Sequence, residues 1–265
     1  MSPGREAVLK PISLKSGFKH SDKGVNTFVP SDSSDGVRVE SKTGGFEISI
    51  SMPENLDLGK GKAAADGTMV FEGNGDSPDL AVQNVEGVAM QVQTVLHSSD
   101  GANEFAYDFG PDAVPVLNDD GSVDLLVELG GGGAALSVAH IEAPWAADAN
   151  GREVDTSYRV EGSSVVQELG LTGQEAYPVV ADPKLGWTWK GPTLFLNKTD
   201  TRRARDVSYV AAICAYAGVF APLCGLNVAA VALWSRRAYN ESKCSRFVFF
   251  PAGLLGEIYK GGYCK

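Results

Sequence analysis

The sequence predicts an α+β protein: an N-terminal antiparallel β-rich domain, sandwich or meander, followed by a small disulfide-bonded α-hairpin domain with a short C-terminal strand. Three observations carry this reading. Residues 1–183 hold 11 Lys and Arg against 29 Asp and Glu, a balance of −18, whereas residues 184–265 hold 12 against 4, a balance of +8. All four cysteines, Cys214, Cys224, Cys244 and Cys264, lie in the second part, at spacings of 10, 20 and 20. Between residues 37 and 183 short alternating apolar stretches recur at the spacing of sandwiches and meanders, and 31 glycines supply turns. The expected division is a disordered leader 1–35, an acidic β-rich domain 36–183 and a basic cysteine-bearing domain 184–265.

In chain order, residues 1–35 have few apolar clusters, too little to offset the entropy of ordering them. In Phe46, Ile48 and Ile50, alternating with Glu47, Ser49 and Ser51, the period-two signature of a half-buried strand is plain. Residues 53–67 read as a loop. Further strands are expected at 68–72, 80–84, 88–96, 104–109, 123–129, 134–140, 157–160, 165–169 and 177–180. Asn118-Asp-Asp-Gly121 and Glu161-Gly162 supply the turns between neighbours. Gly130 to Gly133 reads as a bend and not a phosphate cradle, because a strand and not a helix follows it.

The run Tyr209 to Trp234 holds 26 residues without one charge. That length suits a membrane span, but Gly218, Pro222, Gly225 and Asn227 interrupt its middle. The expectation is therefore two helices, 200–217 capped by Thr199 and stopped at Gly218, and 222–239 with Pro222 in its first turn. Whether this hairpin stays in a folded core or inserts in a bilayer is left open. Phe247 to Phe250 reads as a strand and the rest as a loop returning to Cys264.

An even, clustered cysteine count fits disulfides better than zinc. No Cys-x-x-Cys occurs, and His20, His97 and His140 all lie in the other half. Of the three possible pairings, Cys214 with Cys224 would staple the interhelical turn and Cys244 with Cys264 would close a loop round the final strand. Disulfides imply export, although the start at Met1 lacks the apolar stretch of a signal peptide, so a trimmed or misassigned start is expected.

Ala143-Pro-Trp-Ala-Ala-Asp-Ala-Asn-Gly-Arg-Glu-Val154, Tyr158-Arg-Val-Glu-Gly162, Tyr177-Pro-Val-Val-Ala-Asp-Pro183, Thr193 to Arg202 and Gly261-Gly-Tyr-Cys264 form a distinctive set. Over residues 85–265 the chain resembles large, uncharacterised exported proteins of actinobacteria. The resemblance implies secretion, a β-rich front domain and a disulfide-bonded tail, and it supplies no catalytic residues.

The chemistry-bearing clusters have ordinary alternatives. Asp148-Ala-Asn-Gly151 with Asp155, and Asp119, Asp120 and Asp124, fit Asx turns better than calcium loops. His97 beside Ser98 and Ser99 lacks a nucleophile elbow. Arg202, Arg203 and Arg205 before the apolar run, Arg236 and Arg237 behind it, and Trp187 and Trp189 are the candidate contacts for phosphates or lipid headgroups. No cofactor or metal is expected. A net charge of −10 argues against nucleic acid, leaving an anionic membrane or cell-surface polyanion as the partner of the basic tail. The reading is an exported, non-enzymatic interaction protein. The alternatives are a membrane-active or toxin-like protein whose acidic domain shields its cationic hairpin, and a hydrolase with an unrecognised site.

Overall fold

Most of the described residues between 12 and 41, a stretch largely assigned from sequence to the leader, lie in strands. The computed structural model describes residues 8, 11–22, 24–41, 46–85, 89–130, 133–187, 193–250 and 253–265, with the backbone alone at 89, 187 and 219. In it β1 (Ile12–Leu14), β2 (Gly17–Asp22), β3 (Val25–Pro30), β4 (Val37–Ser41) and β5 (Phe46–Ile50) form an antiparallel sheet in chain order. Phe18, Val25, Val29, Val37, Val39, Ile48 and Ile50 are buried, while Arg38, Glu40, Glu47 and Ser49 point to solvent. The leader assignment fails because the apolar side chains of β2 and β3 are sparse and interleaved with polar ones, yet enough of them share one face to bury it.

The next strands are β6 (Lys62–Ala63), β7 (Met69–Phe71), β8 (Asp79–Val85), β9 (Ala89–Leu96), β10 (Glu104–Asp108), β11 (Ala113–Leu117), β12 (Val123–Leu129) and β13 (Ala134–Ile141). After them come β14 (Trp145–Ala147), β15 (Thr156–Glu161), β16 (Ser164–Leu169), β17 (Val179–Asp182), β18 (Lys184–Trp187) and β19 (Thr193–Leu196). β10, β16 and β15 make a three-stranded sheet, with the β15–β16 hairpin turning at Gly162 as expected. The large sheet runs β21-β20-β19-β13-β18-β9-β8-β7-β6, where β20 (Cys244–Phe250) and β21 (Gly253–Tyr259) close the chain as a hairpin. The loop expected after Phe250 is therefore a strand.

The boundary expected at residue 183 falls inside this sheet. β17 and β18 both pair with β9, through Val180↔Val95 and Leu185↔Met90, and β18 and β19 both pair with β13, through Ile141↔Leu185 and Leu136↔Leu194. Charge inverts there, but the hydrogen-bonded ladder continues. The main core lies among the three sheets and includes Phe18, Phe71, Leu80, Met90, Phe105, Leu125, Ile141 and Leu185.

One buried carboxyl in that core sets a pH dependence. Asp182 is 6% exposed and accepts a hydrogen bond from Gln91, which in turn is bonded to Gln83 at 2.7 Å. Burial pushes the Asp182 carboxyl up to about 6, and the Gln91 bond only partly opposes this. A raised carboxyl binds more protons folded than unfolded between about pH 4 and 6, so its contribution to stability falls as pH rises through that window. Asp182→Asn is expected to stabilise the protein by about 2 kcal/mol at neutral pH, with the gain disappearing below about pH 4. Urea unfolding of both chains at the two pH values checks it; an equal gain at both refutes it.

The helical layer packs on the β19, β20, β21 end of the large sheet. It comprises α1 (Lys198–Arg203), α2 (Val207–Ala215), α3 (Ala221–Gly225) and α4 (Val228–Asn240). Each expected arm is thus broken once. Asp206 halts the first arm because its carboxylate accepts from the Ser208 N–H at 2.9 Å and starts a new helix. Asn227 stands at the break in the second arm without capping α4; its side-chain amide donates back to the Leu223 carbonyl at 2.8 Å. The cap of the first helix is Asn197, not Thr199. Leu194, Leu196, Val210, Ile213, Val231, Phe247 and Phe249 form the core beneath the layer. A buried hydroxyl chain, Ser235 to Ser245 at 3.0 Å and the Ser245 N–H to Thr201 at 3.2 Å, ties α4 and α1 to β20.

Both expected disulfides are present, Cys214–Cys224 joining α2 to α3 and Cys244–Cys264 joining β20 to the chain end. No helix among the described residues is long and apolar enough to cross a membrane.

Candidate functional site

The break between α1 and α2 gathers the arginines. With Ala204 buried at the turn, Arg202 and Arg203 at the end of α1 and Arg205 just beyond it surround the link between α1 and α2. α4, packed against both α1 and α2, brings Arg236 and Asn240 to the same place. The result is an open cleft of about 840 Å³ lined by Arg202, Arg203, Arg205, Asp206, Val207, Arg236 and Asn240. Every lining residue belongs to the helical layer, so the acidic part of the chain does not wall the cleft.

Two of the guanidiniums are held by neutral groups. Arg205 donates its Nε–H to the Arg202 carbonyl at 2.8 Å, and Arg236 donates its own to the Arg205 carbonyl at 3.1 Å. Arg205 also lies 4.1 Å from the Tyr239 ring centroid, a cation–π distance. Because both bonds use Nε, the planar fork of terminal N–H groups on each side chain remains available to a ligand. Arg203 sits 3.8 Å from the buried carboxylate of Asp200, which also accepts from the Tyr209 hydroxyl. Among the described residues Arg202, Arg205 and Arg236 form no ion pair. Asp206 is the one carboxylate of the lining. Its hydrogen bonds from Ser208, and beyond them the charge of Arg236, hold it below the usual carboxylate range. The cleft therefore keeps a net positive field.

Four of the five arginines singled out from sequence meet here. Arg237 does not, since neighbours on a helix point about 100° apart; it stacks 5.5 Å from Trp234 and approaches Glu241 at 3.6 Å. Trp187 lies on β18 opposite Ala139, away from the lining residues in sequence and sheet position, and Trp189 lies outside the described residues. Asp206, Tyr239 and Asn240 were not foreseen; the Asp-Val-Ser helix-start pattern at 206–208 was the available signal for the first.

The other clusters resolve into local structure. Asp148 accepts from the backbone N–H of Asn150 and of Arg152 and from the Arg152 guanidinium, an Asx turn. Burial works to raise its pKa, but these bonds outweigh it and hold the group at about 2. Asp120 accepts from the Ser122 N–H and hydroxyl in the same way. His97 bonds Asp79 at 2.8 Å, while Ser98 and Ser99 bond Asp100 instead. His140 bonds Asp124 at 2.9 Å, which raises its pKa against the opposing effect of burial. Among the described residues no group of three or more His, Cys, Asp and Glu is placed to hold a metal ion.

No protein-family model, curated protein or solved structure matches this chain.

Proposed function

We propose that this is an exported interaction protein whose helical layer binds oxyanions of a cell-surface polymer or membrane through the arginine cleft. The observation that carries the reading is the anchoring of Arg205 and Arg236 by backbone carbonyls through Nε, with neither in an ion pair among the described residues and Asp206 the single carboxylate of the lining. Preorganised guanidiniums lose little freedom on binding phosphate or sulfate, and each charge-assisted bond contributes about 1.5–3 kcal/mol. Export is supported by the two disulfides, bonds that persist in oxidising compartments.

The test is titration of the full oxidised chain with inorganic polyphosphate at low salt. Replacing Arg202, Arg205 and Arg236 by Gln is expected to weaken binding at least about tenfold, and wild-type affinity is expected to fall as salt rises. These side chains are exposed or half-buried, so the thermal midpoint should hardly move. Unchanged affinity in the triple variant refutes the cleft as the site.

A further inference from the structure

We infer that the partner of the cleft is an anionic lipid bilayer and that the helical layer lies on it as a docking face. This rests on the cleft reading and adds a second surface to it. On α4, Ala229, Leu233, Arg236 and Asn240 follow one another at intervals of 4, 3 and 4, so they share one stripe, and all are exposed. Leu226, in helical backbone conformation just before α4, continues the stripe and is 86% exposed; Leu233 is 66% exposed. The stripe is apolar at one end and cationic at the other.

The neighbouring helix has the same polarity. α2 starts at the cleft with Val207 and runs through exposed Ala211, Ala212 and Ala215 to Tyr216, 63% exposed at the far end. From Val207 to Ser235 no side chain is charged, so the described residues of the tip present no charge to solvent. The Cys214–Cys224 disulfide pins that tip, holding Tyr216 and Leu226 on one short excursion of chain.

A bilayer surface matches both ends of the layer. At about 1.5 Å per residue Leu233 lies roughly 10 Å from Leu226 along the helix, and Arg236 roughly 15 Å. Interfacial helices bury their apolar side chains about 5–10 Å into the headgroup and acyl boundary. A tip seated to that depth puts Arg236 and the cleft arginines at the level of the lipid phosphates, where forked guanidiniums bind best.

The experiment compares the full, oxidised chain on vesicles of phosphatidylcholine alone and of phosphatidylcholine with phosphatidylglycerol. Wild type is expected to bind the second and not the first. Leu226→Ser combined with Leu233→Ser removes exposed apolar area, so folding should be untouched, while vesicle binding should drop about tenfold or more. Polyphosphate binding of that double variant should equal wild type. If the double variant binds vesicles as well as wild type while both bind polyphosphate, the lipid face is wrong and the cleft stands. The lipid face is likewise overturned, and the cleft kept, if wild type binds polyphosphate and no vesicle, or if sedimentation shows a dimer that the double variant abolishes. If wild type binds neither, the cleft reading fails as well.

Discussion

Replacing Cys244 and Cys264 together by serine is expected to destabilise the protein by about 3–5 kcal/mol. The disulfide closes a loop of 20 residues, for which chain entropy alone gives about 3 kcal/mol. The rest comes from the core it holds in place. Cys264 anchors Tyr263, which packs with Val116, Leu126, Ala135 and Phe195 on the far side of β13 and β19 from the helices and donates to Glu128 at 3.1 Å. Losing the anchor frees the chain end and opens that cluster to water. The Cys214→Ser, Cys224→Ser pair should cost less, because that bond closes only 10 residues, and α2 keeps its contact with α4 and α3 its contact with β20. Urea unfolding of the two serine pairs beside wild type checks the order; a larger loss from the 214–224 pair contradicts it.

Gly133→Ala is expected to cost about 3 kcal/mol, through a conformation alanine resists and a collision it cannot avoid. Gly133 has φ +99°, and a Cβ built there would lie 1.6 Å from an Asp200 carboxylate oxygen. Asp200 is buried and held by α1 and Tyr209, so it cannot swing aside freely. Gly151→Ala, with φ +75° and open space beside it, isolates the backbone contribution and should cost only about 1 kcal/mol. Pairing Gly133→Ala with Asp200→Ala should recover part of the loss, and strictly additive effects in the cycle would count against the collision. Gly133, just before β13, is therefore a point of close approach between the sheet and the helical layer. Gly130, whose Cβ would meet the Tyr216 ring at 2.9 Å, repeats the arrangement.

Strands with strict alternation were legible from sequence, and so was the disulfide pairing, because local spacing decides both. Phe46 to Ile50 follows its own pattern whatever surrounds it, with Ile48 and Ile50 buried and Glu47 and Ser49 exposed. What stayed hidden depends on distant chain. The strand β11 carries Pro115, and β21 reads Gly-Leu-Leu-Gly-Glu-Ile-Tyr, a composition that pairs only because β20 lies beside it. The inverted charge at residue 184 marked a real change of surface but not a change of core, since charge is set by exposed positions and pairing by the backbone. At the cleft, antiparallel helices flanking an uncharged run had to bring their arginine ends together, so four residues were readable. The carbonyl anchors of Arg205 and Arg236, and the stacking on Tyr239, depend on the turn at Ala204 and were not.

The position of β13 also fixes an order of events during synthesis. Its inner edge is satisfied at once by β12, only a few residues upstream, but its outer edge waits for residues 184–196, more than forty residues later. Over that interval the nascent chain exposes an apolar strand with unpaired N–H and C=O groups, the kind of edge that recruits other strands. Residues 145–182 must emerge and begin folding while that edge stays free. Chaperone occupancy and premature aggregation should accordingly concentrate in chains arrested between residues 141 and 184, and fall once Thr193–Leu196 has left the ribosome.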